Sequence, residues 1–138
     1  MNTTSPAIVA TVVPDDKRLS VLPDFFELRH MLRAEALAFG YMSKLSIDYT
    51  GGYWHYYRLS NGGFYMAPAN DNAMRIEWNG NGYSGLMSAD AAGVVATLFM
   101  VNHLANELRT DAMADLYYQV RDFAAEHPES KAILAAID

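Results

Sequence analysis

Three features of the chain predict an α+β fold. The first is GGYWHYYRLSNGGFYMAP (51–68), a β-hairpin in sequence form. Tyr53, Trp54, His55, Tyr56 and Tyr57 suit a pleated surface, Ser60-Asn61-Gly62-Gly63 supplies a tight turn, and Phe64 to Ala67 resumes the strand until Pro68 ends it. The second is an alternation of Met74, Ile76 and Trp78 with Arg75 and Glu77, followed by the turn Asn79-Gly80-Asn81-Gly82 and a further strand from Tyr83 to Met87. The third is the flanking sequence, where apolar residues recur at three- and four-residue steps. The expected architecture is one helix, a four-stranded antiparallel meander, and three helices packed on the sheet.

Taken in order, residues 1–18 read as a flexible N-terminal arm, and 19–138 as a single domain. Ile8, Val9, Val12 and Val13 give the arm some capacity to pair with a sheet edge. Leu22-Pro23-Asp24 opens a helix predicted over 24–46, with Phe25, Leu28, Leu32, Ala36 and Phe39 as its buried stripe and Gly40 as a weak point where it bends. After the strands, Ser88 caps a helix over 89–109 that is apolar almost all round, the pattern of a central buried helix. Thr110-Asp111 starts the next, whose stripe is Met113, Leu116, Val120 and Phe123. Pro128 stops it, and a short last helix docks Ile133, Leu134 and Ile137.

Composition narrows the function. A chain of 138 residues, 51% hydrophobic and 19% charged, is one globular domain. Having no cysteine, it cannot use disulfides, thiolate catalysis or cysteine-ligated metals. A formal charge of −6 and a pI near 5.0 argue against direct DNA binding through a broad basic face. The N-terminal stretch lacks a basic region before its apolar residues, and the run Ala91–Val101 falls well short of the roughly 20 residues that cross a bilayer. A cytoplasmic protein without a membrane partner is expected.

No catalytic set is legible. His30, His55, His103 and His127 are never paired at helical spacing, so no metal site is expected. An enzyme would need a pocket lined by at least two of them. GNGYSG (80–85) matches GxGxxG, but it lies between two strands where a phosphate loop needs a following helix, so its glycines read as turns and no cofactor is expected. The aromatic hairpin 53–67 suggests an alternative function, a nucleic-acid-binding module stacking bases on its rings, although only His55 and Arg58 accompany them. Trp54 and Tyr56 become candidate partner contacts if they face solvent. The most specific polar pattern is acidic: Asp111, Asp115, Asp122 and Glu126 stand four, seven and four residues apart on one helix face. They span about 22 Å at a rise of about 1.5 Å per residue and are the leading candidate contact surface.

The hairpin stretch also resembles the signature of the KlcA/ArdB-type antirestriction proteins, small bacterial proteins of plasmids and mobile elements. MSADAAGVVATLF (87–99) and RDFAAEHPESKAILAAID (121–138) are similar to the same family, and the resemblance runs from about Leu19 to the C-terminus. It implies interference with type I restriction-modification enzymes, without enzymatic activity of its own, in the bacterial cytoplasm. The implied partner is the restriction enzyme or an associated host factor. It transfers no catalytic residue.

Overall fold

A computed structural model describes residues 6–138; the part of the expected arm at 1–5 lies outside the described residues. The chain runs through β1 (Ala10–Val12), a 3-10 turn (Asp15–Ser20), α1 (Val21–Phe25), α2 (Leu28–Leu45), β2 (Trp54–Leu59), β3 (Phe64–Pro68), β4 (Met74–Trp78), β5 (Tyr83–Met87), α3 (Ala89–Leu108), α4 (Asp111–Glu126) and α5 (Ser130–Ile137). The class is α+β, with both predicted hairpins and all three C-terminal helices in place.

The expected meander divides. The four predicted strands form, but β4–β5 is a separate two-stranded sheet, and the other sheet has the order β1-β2-β3. β1 comes from the supposed arm and pairs antiparallel with β2, Ala10 opposite Leu59. β3 and β4 do not pair, and side chains bond to the free edge of each. Tyr56 and Met66 are a non-hydrogen-bonded pair of the β2–β3 ladder, so the Met66 N–H and C=O point outward. There the Thr97 hydroxyl of α3 accepts from the N–H at 3.2 Å and donates to the carbonyl at 3.3 Å. On β4, the outward Arg75 N–H donates to the Asp48 carboxylate at 2.9 Å.

Both hairpin turns use one asparagine twice. Asn61 accepts from the Gly63 N–H and donates to the Gln119 carbonyl on α4 at 2.8 Å. Asn81 accepts from the Tyr83 N–H and donates to the Ala136 carbonyl on α5 at 2.9 Å. Gly62 and Gly82, at φ 96° and 74°, supply the left-handed step each turn requires.

The predicted first helix is broken. Phe26 and Glu27 are extended, which separates α1 from α2 and lets two adjacent rings reach one target. Phe25 stacks on Phe64 with centroids 4.6 Å apart, and Phe26 meets it edge-on at 5.9 Å. α2 then continues unbroken through Gly40. Its buried face is not the expected stripe: Ala34, Ala38, Met42 and Leu45 are buried, while Leu28 and Leu32 lie in solvent. The small alanines let α2 approach α3, which the larger leucines would hold off.

α3 is the central buried helix, as its composition predicted. Its approach to β3 is closest at Gly93, where an added Cβ would lie 2.3 Å from the Ala67 Cβ and 2.5 Å from the Met66 carbonyl. Gly93→Ala is therefore expected to destabilise the fold by about 1–3 kcal/mol, the usual cost of overpacking, measured by urea denaturation. An unchanged midpoint would contradict this contact.

Candidate functional site

The acidic face predicted on α4 is exposed. Asp111, Asp115 and Asp122 stand free in solvent, and Glu126, also exposed, accepts from the Ile8 N–H at 2.9 Å. One residue of this face escaped sequence reasoning. Tyr118, 62% exposed, lies three positions after Asp115 and four before Asp122, in the middle of the carboxylates. Its spacing would have found it had the face been searched for aromatics as well as charges. An exposed tyrosine ringed by carboxylates can bury its ring against a partner while the acids meet basic groups around it.

The two aromatic contact candidates are core residues instead. Trp54 is 2% exposed, packs on Phe39 and Tyr49, and donates its indole N–H to the Tyr49 hydroxyl at 3.1 Å. Tyr56 is 5% exposed and donates to Glu35 at 3.1 Å. Burial, reinforced by the Glu35 charge and hydrogen bond, pushes its phenol far up. Alternation along β2 sends both side chains to the inner face, so neither stands exposed.

Of the outer rings, Tyr53 is exposed and Tyr57 is partly covered. The Arg18 guanidinium already lies 4.0 Å over Tyr53, and Tyr57 stacks on Tyr65 at 4.5 Å.

Tertiary folding assembles a second polar site that the sequence did not reveal. Asp90, in the first turn of α3, is bonded to Tyr65 from β3 and to His127 from the α4–α5 junction. The Tyr65 hydroxyl donates at 2.7 Å, and His127 Nε2 lies 2.8 Å from the other carboxylate oxygen. The Glu129 N–H donates to His127 Nδ1 at 2.9 Å, so in the neutral ring the proton sits on Nε2 and points at Asp90. Glu129 in turn holds the start of α3, accepting from the Ser88 N–H at 2.9 Å and from the Ser88 hydroxyl.

The electrostatics of Asp90 are opposed. Burial pushes its carboxyl up, but the His127 and Tyr65 hydrogen bonds and the charges of His127 and His55 outweigh that and hold it below its ordinary value. Tyr65 is driven the other way, by burial first and then by Asp90.

An open cleft of about 430 Å³ lies beside Asp90, lined by His55, Tyr57, Asn70 and Asp71 among others. His55 is the only one of the four histidines lining it. Both ring nitrogens of His127 are committed inside, His103 bonds Tyr41 at 2.9 Å, and His30 borders a different cleft. Among the described residues, no three His, Cys, Asp or Glu groups are placed to hold a metal ion. The Asp90 network is a clasp that joins β3, α3 and the α4–α5 junction.

These features define a small α+β protein that presents a charged helix face to its surroundings. The chain belongs to the antirestriction protein family: the family profile described as "Antirestriction protein" matches residues 47–138. Antirestriction protein KlcA of Escherichia coli is 53% identical over 137 residues, covering 95% of this chain and 94% of its own. A second Escherichia coli KlcA is 48% identical over 100% of both chains, and the uncharacterised protein YafX of strain K12 is 39% identical over 95% of this chain and 88% of its own. A solved structure covers 100% of both chains at a TM-score of 0.88 and 51% identity. It comes from work on the KlcA and ArdB proteins, described as having a novel fold and antirestriction activity against type I DNA restriction systems in vivo but not in vitro.

Two outcomes test the clasp. His127→Ala removes a buried ring together with its bonds to Asp90 and to the Glu129 N–H and is expected to cost about 1–3 kcal/mol, read by thermal melts. The second concerns pH. Since the folded-state value of Asp90 is depressed, its contribution to stability is present above the ordinary carboxylate range and is lost as pH falls through the lower folded value. The stability gap between wild type and Asp90→Asn should therefore shrink with acidification below that range. A constant gap would show that the charge of Asp90 plays no part.

Proposed function

We propose that this protein relieves type I restriction in the bacterial cytoplasm, sparing incoming plasmid or mobile-element DNA, without catalytic turnover and by contacting a cellular component. The single observation carrying this reading is likeness along the whole chain, in sequence and in fold, to KlcA proteins. The activity attributed to the KlcA and ArdB proteins, present in vivo and absent in vitro, favours an indirect route through a host factor over simple blockade of the restriction enzyme. Physical chemistry supports the same direction. A chain of charge −6 would be repelled by DNA phosphates, and Trp54, Tyr56, Phe64 and Tyr65 of the aromatic hairpin are buried in the fold. No helix among the described residues is long and apolar enough to cross a membrane. On this reading the carboxylates of α4, with Tyr118 at their centre, are the surface that meets a basic patch of the partner.

The first experiment plates unmodified phage on cells carrying a type I system, with and without this protein. Expression is expected to raise plating efficiency, and intact restriction despite folded protein would overturn the reading. The surface is tested by combining Asp111→Asn, Asp115→Asn, Asp122→Asn and Glu126→Gln. All four side chains are exposed, so each change should move stability by no more than about 0.5 kcal/mol. Relief of restriction should nevertheless fall, and full relief by the folded quadruple variant would remove the acidic face from the mechanism.

A further inference from the structure

Leu28 and Leu32, one turn apart on α2, are 77% and 72% exposed, and Leu19 beside them is 92% exposed. Single exposed leucines are common, but two of these are joined: Leu19 and Leu32 line one cleft of about 210 Å³ together with Leu22 and Met31, and Arg18, Glu35 and Tyr56 complete its wall.

The solvent face of α2 is ordered across its width. At about 100° per residue, Leu28 and Leu32 form one edge, Ala36, Arg29 and Gly40 the middle, with Arg29 at its N-terminal end, and Arg33 and Lys44 the other edge. The middle is hollow. A Cβ placed on Gly40 would meet nothing within 4 Å, and an open cleft of about 430 Å³ runs along Leu32, Ala36, Gly40 and Tyr41 to Lys44. Small residues between a leucine edge and a cationic edge leave a trough in which another helix can approach closely.

Charge identifies the occupant. α2 places three cations on this face, with Glu35 just beyond its leucine edge and bonded to Tyr56, in a chain whose net charge is −6. Arg29 is paired with Glu27 and Arg33 with Glu107, but these are surface pairs, which hold weakly and exchange readily for a better carboxylate. Lys44 lies 5.6 Å over the Tyr41 ring and makes no ion pair among the described residues.

We propose that the outward face of α2 is a docking trough for an amphipathic acidic helix of a partner protein. Apolar residues of that helix cover Leu28, Leu32 and Ala36, and its carboxylates run along Arg29, Arg33 and Lys44. From Leu28 to Lys44 the trough is about 24 Å long, enough for more than four turns of the incoming helix. Nucleic acid would use the cations and leave the leucines wet. A second copy docked antiparallel about a two-fold axis would lay cations on cations.

The test uses the full chain, isotopically labelled, and three probes: a synthetic amphipathic helix with leucines on one face and glutamates beside them, the same peptide with lysines for glutamates, and a short DNA duplex. The glutamate peptide should shift the amide resonances of α2 and Leu19, and the lysine peptide should bind at least about tenfold more weakly. Leu32→Glu, at an exposed position, should weaken the glutamate peptide by at least about tenfold while leaving the melting curve unchanged. Any of four results overturns the proposal: no binding, equal binding of both peptides, salt-sensitive binding of the duplex to this face in place of the peptide, or self-association that Leu32→Glu abolishes.

A cellular arm rests on the antirestriction reading. A folded Leu28→Ser/Leu32→Glu variant should lose at least about tenfold in restriction relief. Full relief by that variant overturns a role for the trough. Absence of relief by the wild type overturns the antirestriction reading instead, and the peptide titrations then decide the trough alone.

Discussion

The close contact of α3 with β3 is the constraint on which the rest of the structure depends. Gly93 admits the strand backbone to a distance that no side chain would allow, and Thr97, one turn on, satisfies both outward polar groups of Met66. A strand edge is thereby closed by a helix, which removes the cost of burying unpaired N–H and C=O groups. With that edge closed, β3 cannot extend the sheet to β4. It is buried along its whole length, and its outer neighbour β2 takes β1 from the N-terminal segment instead.

Around this centre, polar side chains fix the joints between elements. Each hairpin tip is held to a C-terminal helix by an asparagine that also shapes its own turn. The start of α3 is clasped to the α4–α5 junction through Ser88, Glu129, His127 and Asp90. Such bonds add little each, but leaving any of these partly buried groups unpaired would cost more than the bond contributes, so they specify geometry. The framework they hold carries two charged helical faces of opposite character: carboxylates with Tyr118 on α4, and cations beside exposed leucines on α2.

Strong local signals were legible in the sequence. Asn-Gly turns, the period-two alternation in 74–78 and the cap at Ser88 each act within a few residues, and each produced the element they predict. The carboxylates of α4 were legible because that helix has one apolar stripe, and everything opposite it must be exposed. α2 misled because it has two apolar faces. The larger, Leu28 to Phe39, looks like the core stripe by hydrophobicity, yet the helix turns its alanines inward to approach α3. Trp54 and Tyr56 misled for a related reason: alternation says that they share a face of β2, but not which face is covered.

By itself, the sequence determined the class of fold, the places where the chain turns, the identity of the central helix and, through its resemblance, the family. These follow from local backbone preferences and from patterns only a few residues long. Tertiary structure alone decided which strand edges pair, which side of an ambiguous helix is buried, and that Asp90, His127 and Tyr65 meet. The physical reason is common to all three. Each depends on residues far apart in the chain competing for one place, Thr97 and β4 for the edge of β3, alanine and leucine for the surface of α3, and packing settles that competition only once the whole core has formed.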